Sequence, residues 1–137
     1  MAFVLSSARR DYWWPLAIDI PKDGGGYRRA TCKLLFKWLP QSEVEQIIGV
    51  EAELNHAMQL GRTERMNELL PIARQHAARI ILGWDDIFEN EPEVGQPPSD
   101  KVPFTDSNLA DFLETPGLAG AVLKTYSESL PQVKAKN

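Results

Sequence analysis

The stretch Thr31-Cys32-Lys33-Leu34-Leu35-Phe36-Lys37-Trp38-Leu39-Pro40-Gln41-Ser42-Glu43-Val44-Glu45-Gln46-Ile47-Ile48 changes its hydrophobic period at Pro40, and that change decides the fold. Before the proline, Cys32, Leu34, Phe36 and Trp38 alternate with Thr31, Lys33, Leu35 and Lys37. Period two over this length is a strand with one greasy and one basic face. After the proline, Val44, Ile47, Ile48, Leu54 and Met58 keep to a single stripe, the 3.6-residue period of an amphipathic helix. Ser42-Glu43-Val44-Glu45 has capping-box spacing, in which the Ser42 hydroxyl accepts from the Glu45 amide while the Glu45 carboxylate reaches back.

Upstream, a second alternation places Trp14, Leu16, Ile18 and Ile20 on one face and Trp13, Pro15, Ala17 and Asp19 on the other. Pro15 cannot donate to a ladder, so this strand belongs at a sheet edge or begins near the proline. Pro21-Lys22-Asp23-Gly24-Gly25-Gly26 joins the two runs as a turn rich in residues that tolerate positive φ. A lone hairpin is marginal in water, so its apolar face must pack on the downstream helices or on another subunit. Gly61 stops the first of those helices, and Thr63 caps a second region carrying Met66, Leu69, Leu70, Ile72, Ala73, Ala77, Ile80 and Ile81. Pro71 predicts a kink or a fresh start within it, and Gly83 its end.

Residues 85–103 hold four prolines and six acids, which reads as a long charged loop. Thr105 caps a short helix through Leu109, Phe112 and Leu113, and Thr115-Pro116 opens the last one, with Leu118, Val122, Tyr126 and Leu130 at intervals of four. Pro131 closes that helix. The expectation is an α+β fold: an N-terminal antiparallel β-hairpin packed on a bundle of about four α-helices. One domain over residues 1–137 divides into the hairpin (1–40), a helical region (41–83), the acidic loop (84–104), two short helices (105–131) and a frayed polar tail (132–137).

A chain of 137 residues is long enough for one core and short for two. The single cysteine, Cys32, excludes an intramolecular disulfide. No apolar run approaches the roughly 18–20 residues of a membrane span, and the N-terminus lacks the order of charge, apolar stretch and cleavage site of a signal peptide, so a reduced, cytoplasmic setting is expected. The net charge of -4 is unevenly laid out: +4 over residues 1–40, -2 over 41–82, -8 over 83–115 and +2 over 116–137. An acidic total with few aromatic–basic clusters argues against nucleic acid as the main partner.

Few residues carry recognisable chemistry. Gly24-Gly25-Gly26 leads into a strand with no Gly-Lys-Ser/Thr behind it, so hairpin turn accounts for it better than phosphate loop. His56 and His76 stand twenty residues apart on different helices with no carboxylate at metal-motif spacing. Cys32 falls on the apolar face of its strand, where a thiol behaves as a small hydrophobe. Asp85, Asp86 and Glu89 lack the order of a calcium-binding loop. No Gly-x-Ser-x-Gly or Cys/His/Asn arrangement appears, so no catalytic, metal or cofactor site is expected.

Taken together, Phe36-Lys37-Trp38-Leu39, Ser42-Glu43-Val44-Glu45, Gly83-Trp84-Asp85-Asp86, Pro103-Phe104-Thr105, and Pro116-Gly117 through Tyr126-Ser127-Glu128 form an order of short motifs over roughly residues 10–130. That order resembles the tail assembly chaperones of long-tailed bacteriophages and their prophages. Asn108 departs from it by standing where a capping glutamate is expected, and the acidic loop is long. The resemblance implies a non-enzymatic protein of the host bacterial cytoplasm, absent from the mature virion. It would bind the tape-measure protein, help recruit tail-tube subunits and form homo-oligomers. It also implies programmed frameshifting near the end of the gene, which Ala135-Lys136-Asn137 permits if encoded by a slippery run.

A structural tail-completion or connector protein is the first alternative, and a small nucleic-acid-binding regulator using Arg9, Arg10, Arg28 and Arg29 the second. Trp13, Tyr27, Phe88 and Phe104 are the candidate contacts with client or self, being aromatics beside turns or in the loop. Such aromatics either anchor a partner or complete the core, and the sequence leaves both readings open.

Overall fold

The computed structural model describes residues 1–92, 94–97 and 99–131; the tail expected at 132–137 lies outside them. After a single exposed helical turn, α1 (Leu5–Ala8), the hairpin forms as its alternation requires. Strand β1 (Tyr12–Pro21) pairs antiparallel with β2 (Tyr27–Phe36), in register from Tyr12↔Phe36 to Pro21↔Tyr27. Leu16 lies opposite Cys32, and Trp14 opposite Leu34, so the two greasy rows share one face. The turn needs its glycines: Gly24, Gly25 and Gly26 all take φ between 77° and 103°. Strand order is β1-β2-β3, which leaves β1 at an edge, where Pro15 forfeits no ladder bond.

Helix α2 (Gln41–Gln59) ends in a Schellman motif around Gly61, at φ 65°, with Arg62 N donating to Ala57 O and Gly61 N to Met58 O. The capping box expected from Ser42 and Glu45 does not form. Pro40, in an extended conformation, is the N-cap, Ser42 is already inside the helix, and Glu43 pairs with Arg79 across the bundle. Helix α3 (Thr63–Ile80) likewise starts at Thr63 and not after it, and it runs through Pro71 as one element. Pro71 and Asn67 both face solvent, so water can satisfy the Asn67 carbonyl that loses its i+4 donor.

Gly83 does not end a helix. The chain passes from Ile80 directly into a third strand, β3 (Ile81–Asp85), which pairs antiparallel with β2 through Leu34↔Trp84 and Leu35↔Gly83, with a register shift before Phe36↔Ile81. Helix α4 (Asp106–Leu113) has the expected cap: Thr105 Oγ1 accepts from Asn108 N at 3.1 Å. The Asn108 side chain, standing in place of the expected glutamate, donates to Pro103 O at 2.9 Å, so it too fastens the loop to the helix. Helix α5 (Leu118–Glu128) starts after Gly117 at φ 81°, not at Thr115-Pro116; those two form the turn before it.

The fold is therefore α+β, among the described residues an antiparallel three-stranded sheet with five helices. Helix α5 is its axis. Leu118, Val122, Leu123 and Tyr126 are buried against α2, α3 and the sheet. Phe36 is fully buried between Tyr12 and Tyr126, edge-to-face with both at 5.9 and 5.1 Å between ring centroids. The Tyr126 hydroxyl donates to Lys37 O at 2.9 Å, tying the end of the hairpin to the last helix.

The acidic loop is pinned at its two ends. Phe88 bridges to Lys101, Val102 N donates to Ile87 O, and Trp84 Nε1 donates to Val102 O at 2.8 Å. Its acids also meet the basic hairpin in the same chain: Arg28 pairs with Glu91 and Lys33 with Asp86, while Lys101 holds Asp85 at 2.8 Å. Exposed pairs of this kind contribute about 0–1 kcal/mol each, but they use part of the charge contrast internally. Among the described residues no helix is long and apolar enough to cross a membrane.

Candidate binding groove

The hairpin outruns its own sheet. β3 pairs only with residues 33–36 of β2, so the hairpin continues beyond it as a two-stranded arm. The apolar alternation does not stop where β3 does: Ile18 and Ile20 extend the row that Trp14 and Leu16 begin. Beneath this row lie Ile87 and Phe88 from the acidic loop, Phe112 from α4, and Pro116 and Leu118 at the start of α5. The cavity between them measures about 700 Å³, within the usual range of binding clefts. Asp19 and Asp86 are its acidic residues.

The groove has no activated nucleophile. The Cys32 thiol lines it, but burial first, and the nearby Asp86 carboxylate second, push its pKa up to about 11, so it stays protonated at neutral pH. Asp85, just outside, is held below the usual carboxylate range by its hydrogen bonds from Lys101 and the Asp86 amide. Among the described residues no buried side-chain polar atom lacks a partner, and no three metal-ligating side chains gather. What the groove offers is apolar surface.

Compared with known protein families, characterised proteins and solved structures, the chain matches none of them.

A second cavity of about 730 Å³ opens at the other end of β1, among Tyr12, Trp13, Trp14 and Trp38, beside Ser7 and Ala8 of α1. Two of its hydroxyls are engaged with each other: Tyr12 Oη and Ser129 Oγ share a hydrogen bond of 2.6 Å, and Ser129 Oγ also donates to Tyr126 O. Arg9 sits over the Trp38 ring at 5.9 Å.

The four aromatics singled out from the sequence separate into three places. Tyr27 and Phe88, 68% and 38% exposed, both line the groove. Trp13, 53% exposed, lies on the open face of the sheet over Gly83 and lines the second cavity. Phe104 lines neither; it is half-buried edge-to-face on Trp84 at 5.1 Å, where it completes the core. Sequence reasoning missed Ile18, Ile20, Ile87 and Phe112 as groove residues. The signal for the first two was present, since the apolar row of β1 is longer than the sheet that covers it.

Proposed function

We propose that this chain is a non-enzymatic binding protein, a tail assembly chaperone of a long-tailed phage or prophage, whose groove holds apolar faces of the tape-measure protein. The observation that carries this reading is the apolar cleft under the hairpin arm, walled by Ile18, Ile20, Ile87, Phe88 and Phe112. An amphipathic helix docks by laying its apolar face into such a cleft, with a few anchors at i, i+3, i+4 and i+7. A long helical client with its greasy stripes covered stays soluble, which is the physical content of chaperoning. Recruitment of tail-tube subunits, action in the host cytoplasm and absence from the finished virion follow from the same reading. The arginines that a nucleic-acid regulator would use are partly engaged, Arg28 with Glu91 and Arg9 over Trp38, which favours the chaperone over that alternative.

The test is co-expression with the tape-measure protein of the same phage or prophage. The wild-type chain raises the soluble fraction of that protein and co-purifies with it; Ile20→Asp, which charges the groove at an exposed position, abolishes both. A tape-measure protein equally insoluble with and without the chain refutes the proposal. Recovery of the chain in purified virions assigns it instead to the tail structure.

A further inference from the structure

The cavity at the start of β1 collects most of the chain's tryptophans and tyrosines. Of four tryptophans and three tyrosines, Tyr12, Trp13, Trp14, Trp38 and Tyr126 line its 730 Å³. Distant parts of the chain bring them together. Asp11 Oδ1 accepts from Trp38 N at 2.9 Å and closes the open end of the hairpin, while Tyr12 Oη and Ser129 Oγ tie that end to the residues after α5. Core packing does not account for all of these rings. Trp84, the fourth tryptophan, packs against Phe104 and Phe112, whereas Trp13 and Trp14 stay 53% and 38% exposed.

The charge around the rings has one sign. Among the described residues Arg10 is the only charged side chain on the cavity wall, and Arg9 lies over Trp38 with its guanidinium 5.9 Å from the ring centroid. Neither arginine has a salt-bridge partner among the described residues. A guanidinium stacked on a ring keeps its edge N–H donors free, which is how arginine grips a phosphate or carboxylate. Gln41, on the same wall, opens α2 without a side-chain cap, so the positive end of that helix adds to the field. Aromatic cages also suit quaternary ammonium ions, but Arg9 already covers Trp38 and Arg10 repels a second cation. The chemistry that fits is a flat ring system with an anion at one end.

We propose that this cavity binds a free nucleoside monophosphate, its base stacked on the exposed indoles and its phosphate held by Arg10 and Arg9. The volume lies within the range of small-molecule clefts. Two guanidiniums and a helix N-terminus match the nearly double charge and three acceptor oxygens of a phosphate monoester better than the single charge of a carboxylate. A nucleic-acid strand needs instead a basic groove that tracks its backbone, and among the described residues no lysine and no other arginine lines this cavity. The site lies at the opposite end of β1 from the client groove and shares no lining residue with it, so neither reading depends on the other.

The test follows the tryptophan indole N–H signals of the full chain by nuclear magnetic resonance as AMP is added. Those of Trp14 and Trp38 are expected to move with a dissociation constant on the order of 10 µM to 1 mM, the range for a ligand of this size. The Trp84 signal, whose Nε1–H donates to Val102 O away from the cavity, is expected to stay. Arg10→Gln, at an exposed position, and Trp14→Leu should each weaken binding about tenfold, and high salt should weaken it too. Adenosine should bind about tenfold or more weakly than AMP, inorganic phosphate should move no indole signal, and Ile20→Asp in the distant groove should bind AMP as wild type does. Indole signals that stay still at ~5 mM AMP, adenosine binding as well as AMP, or Arg10→Gln binding as wild type overturns the inference. Indoleacetate binding more tightly than AMP overturns the choice of phosphate, and a short oligoadenylate binding far more tightly than AMP overturns the choice of a free nucleotide. Circular dichroism verifies the fold of each variant.

Discussion

Truncation of Phe36 to alanine tests the packing on which the fold depends. Phe36 is fully buried where β2 meets α5, edge-to-face with Tyr12 and with Tyr126. Phe→Ala in a core costs about 3–5 kcal/mol from lost transfer and the cavity left behind. Each aromatic pair adds about 0.5–1.5 kcal/mol beyond area. Two such pairs put the expected cost near the top of that range, about 4–5 kcal/mol, against a total stability on the order of 5–15 kcal/mol. With a urea m-value of about 2 kcal/mol per molar, the midpoint falls by roughly 2 M. Trp13→Ala is the matched control: an aromatic residue of the same hairpin, but half exposed on the open face, so its loss costs about 1 kcal/mol or less. Urea titrations followed by far-ultraviolet circular dichroism measure both. A loss below about 1.5 kcal/mol for Phe36→Ala, or an equal loss for the two substitutions, refutes the assignment of which face is the core.

Burial also sets the behaviour of three titratable groups. It pushes the Cys32 thiol up to about 11 and raises the Tyr126 and Tyr12 phenols above their ordinary value, so the folded chain holds these protons more tightly than the unfolded one. The Cys32 contribution is full below the ordinary thiol value of about 8.5 and is lost as pH rises toward 11, while that of the two phenols begins to be lost only above their ordinary value of about 10; thermal midpoints should fall over the thiol window, less steeply in Cys32→Ala. At pH 8, alkylation of Cys32 should run at least about a hundredfold slower than that of a free thiol, and a fast reaction contradicts its placement. A glycine inside α2 and the one just past its end give opposite signs: Gly61→Ala, at φ 65° with open space around it, should cost about 1–2 kcal/mol, while Gly49→Ala, in the exposed helix interior, should add about 0.5–1 kcal/mol. Denaturation midpoints that move in the same direction for both contradict the helix boundaries.

The hairpin and the helices were legible because each has a period that only one kind of element satisfies. The β1 and β2 alternations predict which rows share a face, and Pro15 predicts the edge. Strand β3 was not legible, because Ile81-Leu82-Gly83-Trp84-Asp85 follows α3 without a turn, and five residues are too few to establish an alternation against a helical background. Thr105 signals its cap truly, whereas Ser42 misleads: an extended proline one residue ahead of the helix already sets its entry. The candidate site was legible only in fragments. Tyr27 and Phe88 stand out singly, but the groove that joins them arises from three distant parts of the chain, the hairpin arm, the loop base and the α4–α5 turn. Nothing local in any of the three announces the other two. The acidic loop hid its role similarly, since its pairing with Arg28 and Lys33 depends on a strand register that composition cannot supply.

Hydrogen–deuterium exchange on the chain with and without the tape-measure protein tests the groove most directly. The account predicts added protection at residues 16–21, 27–32 and 86–88, the walls of the cleft, with the open face around Trp13 and Leu35 unchanged. Binding without protection at those three segments, or with protection confined to the open sheet face, contradicts it.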